Sequence, residues 1–118
     1  MDDETLQMTM LFDFFGDLLT EKQREYFDLY HNEDLSLSEI AEKAGISRQG
    51  VYDIITRAEK ALVEIELKTG VVRRWHETLF ELERAKALAH ELRVLSEGND
   101  ETSDIAKKLI LTLESLRD

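Results

Sequence analysis

Cysteine is absent from the 118 residues, which excludes disulfide scaffolds, cysteine zinc sites and thiol nucleophiles. Proline is absent as well, so nothing of that kind interrupts a long helix from within. Glycine occurs only five times. Basic residues are in deficit: 15 lysines and arginines stand against 26 aspartates and glutamates, a formal charge of −11. That balance excludes a uniformly basic nucleic-acid binder and a polybasic membrane anchor, so any DNA contact must come from a local surface. Long hydrophobic runs are missing too. The apolar stretch near the N-terminus is broken by Asp13, Gly16 and Asp17, well short of a bilayer span. Asp2, Asp3 and Glu4 stand where a secretory signal needs positive charge. The expectation is a soluble cytoplasmic protein with no membrane partner. What is present is an apolar share of 42%, enough for the core of one domain-sized chain.

The pattern predicts an all-α chain of about six helices, because strand-like alternation is missing and polar punctuation falls where helices would end. The first helix is read from Thr5 to Leu19, apolar on most sides through Leu11, Phe12, Phe14, Phe15, Leu18 and Leu19. Thr20 with Gln23 has the spacing of a capping box for a helix ending in His31-Asn32-Glu33-Asp34. Ser36 or Ser38 caps a short helix ending near Lys43, and Ser47 caps another running to about Lys68. Thr69-Gly70 marks a stop or kink. Helical spacing resumes from Val71 to Ser96, and Thr102 or Ser103 caps a last helix with Ile105, Leu109, Leu113 and Leu116 on one face.

Leu37 to Thr56 fits a helix-turn-helix, two short helices crossing steeply through a tight turn. Ala41 is small enough for the crossing. Gly45 supplies the left-handed backbone that ends the first helix without a Cβ penalty. Ile40, Ala44, Ile46, Val51 and Ile54 fall at positions facing a shared core, joined by Ile55, Ala58 and Leu62. Arg48, Gln49, Tyr52, Asp53, Thr56 and Arg57 are left towards solvent. In DNA-binding versions this second helix enters the major groove, N-terminal residues against base edges. There Arg48 suits guanine, Gln49 adenine, and Asp53 the amino group of cytosine. Ser47 sets the start of that helix, and Lys43, Arg57 and Lys60 are candidate phosphate contacts. The same fold also serves as a protein-interaction module. From Leu37 to Leu62 four basic residues (Lys43, Arg48, Arg57, Lys60) face four acidic ones (Glu39, Glu42, Asp53, Glu59), so the module is electroneutral. Motif geometry places DNA binding first and protein binding second.

Leu18 to Leu62 resembles region four of bacterial sigma factors, where a capped helix like Leu19-Thr20-Glu21-Lys22-Gln23-Arg24 precedes the helix-turn-helix. Leu11-Phe12-Asp13-Phe14 with Leu18-Leu19-Thr20, Ser36 to Glu42, and Ser47 to Asp53 resemble the YlxM-type family. These are small bacterial helix-turn-helix proteins encoded beside signal recognition particle genes. The resemblance implies an all-helical fold, a regulatory DNA-binding role and a part in the signal recognition particle pathway. As an adaptor, the same fold would instead bind a component of that particle. Agreement is dense from Leu11 to Leu62 and looser after Gly70.

No catalytic or cofactor constellation accompanies this motif. His76-Glu77 opens like a zinc-protease helix, but Phe80 stands where the second histidine belongs, and His90-Glu91 fails likewise at Val94. Arg73-Arg74 beside Trp75 can stack on a base, although such a tryptophan more often anchors a core or interface. The spacing of Val72, Trp75, Leu79 and Leu82 begins like a heptad, but Lys86 and Arg93 interrupt it, favouring a packed helix pair or dimer over a coiled coil. The expected organisation is a helix-turn-helix domain over residues 1–69 and a helical dimerisation or packing element over residues 70–118. The whole is a non-enzymatic homodimer that binds double-stranded DNA.

Overall fold

The structure, a computed structural model, describes residues 3–116. Six α-helices run in order: α1 (Asp3–Phe15), α2 (Glu21–His31), α3 (Leu37–Ala44), α4 (Arg48–Thr69), α5 (Val71–Leu95) and α6 (Asp100–Ser115). No strand occurs among the described residues. The chain divides between Val72 and Arg73 into two compact units.

Local chemistry sets the helix starts. Thr20 accepts from the Gln23 amide at 3.2 Å, and the Gln23 side chain accepts from the Thr20 amide at 3.1 Å. Ser36, not Ser38, caps α3 with the same reciprocal pair, completed by Glu39. α1 stops earlier than its apolar run suggests. At Gly16 the chain tightens into a 3-10 turn to Leu18, and a Cβ on Gly16 would lie 3.1 Å from the Phe12 ring. Leu11, Phe15 and Leu19 are buried, whereas Phe14 and Leu18 are exposed, so this segment is less enclosed than expected.

Two apolar clusters build the first unit. One joins Leu11, Phe15, Leu19, Phe27, Ala58, Leu62 and Val72, with the Phe12 ring stacked on Phe27 at 4.6 Å. The other joins Tyr26, Ile40, Ala41, Val51 and Ile55. Adjacent residues of α2, Tyr26 and Phe27, therefore serve different clusters. α4 serves both through one stripe, Val51, Ile55, Ala58 and Leu62, spaced i, i+4, i+7, i+11 as a helix face requires. Burying each of the larger side chains contributes about 1.5–3 kcal/mol.

In the second unit, α6 buries Ala106 and Ile110 and α5 buries Ala89. Asn99 caps α6, its side chain accepting from the Thr102 amide at 3.2 Å. This corrects the expected Thr102 or Ser103 cap: the helix already begins at Asp100, placing both residues inside it. Trp75, Leu92, Ile105, Leu109 and Leu116 are exposed.

Candidate nucleic-acid interface

The turn between α3 and α4 is built from three residues. Gly45 adopts φ +73°, in the left-handed region. Its amide donates to the Ala41 carbonyl at 2.9 Å, and the Ile46 amide donates to the same oxygen at 3.2 Å. Ser47 then accepts from the Gly50 amide at 3.0 Å, which opens α4. Gly50 leaves room for this cap, since a Cβ there would stand 3.1 Å from the Ser47 hydroxyl. Ile46 departs from expectation: it is 39% exposed rather than part of the shared core. With its amide tied to Ala41 by the chain reversal, its side chain lies over Gly50, 3.6 Å from where a Cβ would be. Ala41 is buried at the crossing, as a small residue there must be.

The first two turns of α4 present Arg48, Gln49, Tyr52 and Asp53 to solvent, with Tyr52 50% exposed. The first turn holds no acidic residue, leaving the positive end of the helix dipole unopposed. Gln49 donates its side-chain amide to Asp53 at 3.0 Å, so these neighbours hold each other. None of Lys43, Arg48, Arg57 and Lys60 forms an ion pair among the described residues. Arg48 and Arg57 are nine residues apart, about two and a half turns, which puts them on opposite flanks of the helix.

The expected solvent face does not continue evenly. Thr56 is half-buried, and with Lys60 it lines a groove of about 450 Å³ between α1 and α4. Glu4, Glu59 and Glu64 line the same groove, so Lys60 is separated by its surroundings from the other candidate phosphate contacts.

Sequence reasoning missed one pair that links elements. His31, at the end of α2, meets the Glu59 carboxylate on α4 at 3.1 Å, and its ring lies 4.3 Å from that of Phe27. The partners are 28 residues apart, and no local pattern announces such a contact. Among the described residues no cluster of three or more potential ligands can hold a metal ion, and no helix is long and apolar enough to cross a membrane.

Residues 2–84 match the family described as helix-turn-helix proteins, YlxM / p13 like (UPF0122). A UPF0122 protein of Thermoanaerobacter is 52% identical over 86 residues, 73% of this chain and 74% of the relative. One from Halalkalibacterium halodurans is 46% identical over 106 residues, covering 85% and 97%. One from Shouchella clausii is 41% identical over 116 residues, covering 98% and 99%.

Proposed function

The chain belongs to the UPF0122 family of YlxM/p13-like helix-turn-helix proteins, and from that membership we propose a DNA-binding regulator that reads a duplex with the start of α4. One observation carries the reading. Behind a left-handed glycine turn and a serine cap, α4 opens with Arg48, Gln49 and Tyr52 exposed and no carboxylate in its first turn. These three residues meet base edges, with Asp53 orienting Gln49 or accepting from cytosine. Lys43 and Arg57 contact phosphate on either side. Lys60, lining a groove with three carboxylates, contributes less to DNA affinity than Lys43. The exposed apolar residues of α5 and α6 support a homodimer, whose two-fold axis would present paired reading helices. The family resemblance adds a part in the signal recognition particle pathway.

A second reading is an adaptor that binds a component of that particle through the same fold. The electroneutral motif and the overall charge of −11 favour it, because long-range attraction to phosphate is weak. Titrating wild type, Arg48→Ala, Lys43→Ala and Lys60→Ala against the protein's own upstream duplex and a scrambled one, at two salt concentrations, separates the readings. For a regulator, Arg48→Ala costs about 1–3 kcal/mol and relaxes sequence preference. Lys43→Ala weakens both duplexes alike and flattens the salt dependence by about one counterion. Lys60→Ala has the smallest effect of the three. Equal, weak binding of both duplexes by every variant would leave only the adaptor.

A further inference from the structure

α4 carries a second stripe with the spacing of its core stripe: Thr56, Lys60, Val63 and Leu67. It is displaced five residues from the first, about 140° around the helix, so it lies on a different face. Together with Met8 and Glu4 of α1 it lines the groove of about 450 Å³. Its apolar end is open among the described residues: Leu67 is 81% exposed, and Val63 is also exposed. Large apolar side chains left open beside a groove mark an interaction surface.

The chemistry of the rim identifies the occupant. Glu4, Glu59 and Glu64 line this groove with Lys60; His31 pairs with Glu59 at 3.1 Å and Lys68 with Glu64 at 2.9 Å, which leaves Glu4 as the open carboxylate of this rim. A neighbouring hollow of about 420 Å³ shares Glu4, Met8 and Glu59 and adds Tyr30, His31, Asp34 and Leu35. The two form a trough in which Met8, Leu35, Val63 and Leu67 lie beside an edge carrying the open carboxylates of Glu4 and Asp34. Such an edge repels nucleic acid and anionic lipid and attracts a cation-bearing partner. Apolar residues flanked by lysine or arginine on one helix supply both complements, and a helix laid in a groove is a common mode of peptide capture.

We infer that the α1–α4 trough is the docking surface for a cationic amphipathic helix of a partner protein. This surface is separate from the start of α4, so the proposal stands whether or not the chain binds DNA. A partner helix places one or two apolar side chains between Met8 and Leu67, with basic residues towards Glu4 and Asp34.

The test uses the full chain and a fluorescein-labelled helical peptide of about 15 residues, with leucines at i, i+3, i+4 and i+7 and lysines elsewhere. Fluorescence anisotropy is read for wild type, Leu67→Ser, Glu4→Lys, and Glu101→Lys on α6 as a charge-matched control. Leu67→Ser is expected to weaken binding about tenfold, the effect of losing one buried apolar side chain. Glu4→Lys is expected to weaken it by a similar factor, and Glu101→Lys to leave it unchanged. A peptide with glutamates in place of lysines is expected not to bind. Equal losses from Glu4→Lys and Glu101→Lys would mean diffuse charge attraction and overturn the proposal. So would unchanged affinity in Leu67→Ser. A change in the protein's solution mass on Leu67→Ser would assign the trough to a second copy and overturn it as well. Loss of DNA binding with peptide binding intact would touch only the regulatory reading.

Discussion

A Cβ on Gly45 would have nothing within 4 Å of it, yet the residue stands at φ +73°. Substitution there meets backbone strain alone. Gly45→Val is expected to cost about 1–3 kcal/mol, and Gly45→Asn less, because asparagine tolerates the left-handed region. Thermal unfolding checks both; a valine variant matching the parent would contradict the turn. Glu39 shows a charge effect at the same scale. Hydrogen bonds from the Ser36 backbone and then its hydroxyl hold its carboxyl below the ordinary glutamate range. Its folded-state pKa therefore lies below the unfolded one. The stabilisation is complete at neutral pH and disappears as pH falls through that depressed value. Glu39→Gln keeps the acceptor, as Gln23 does in the Thr20 cap, but removes the titration. The variant is expected to show a flatter fall in unfolding midpoint than the parent as pH drops from neutrality through and below the ordinary glutamate range.

Among the elements, α4 depends most on its first turn. Removing the hydroxyl in Ser47→Ala leaves the Gly50 amide without its partner and is expected to cost about 0.5–2 kcal/mol. Circular dichroism on heating measures that loss. Caps of this kind were legible because donor and acceptor lie three residues apart, as at Thr20, Ser36 and Ser47. The α6 cap was not, since Asn99, Thr102 and Ser103 all qualify and only the helix start at Asp100 decides. The helix-turn-helix itself was legible because Ala41, Gly45 and the Val51–Ile55 stripe constrain one another over a short span. Ile46 was not, since hydropathy does not distinguish a turn residue from a core one. The α1–α4 groove escaped for a different reason. Its stripe mixes threonine, lysine, valine and leucine, so no single property repeats, and its other wall lies about fifty residues away in sequence.

For the whole molecule, the exposed Ile105 and Leu109 on α6 and Leu116 at its C-terminal end are the basis of the proposed dimer. Wild type is expected to sediment as a dimer at tens of micromolar, a concentration suited to weak association. Leu109→Asp is expected to sediment as a monomer with little change in unfolding midpoint, since this residue is already exposed. A wild-type monomer under those conditions would rule out that assembly. The 22-residue α4 ties the first unit together, spanning about 33 Å and joining both clusters. It thereby fixes where the chain can change length. Deleting one residue between Ile55 and Ala58 would turn Arg48 and Gln49 by about 100° relative to Leu62 and draw them in by about 1.5 Å. One cluster or the exposed face at the start of α4 would then be misaligned, whatever residue was lost. Insertions and deletions are consequently confined to the segments between helices and to α4's end near Thr69, so variants of this chain can alter the exposed start of α4 only by exchanging side chains.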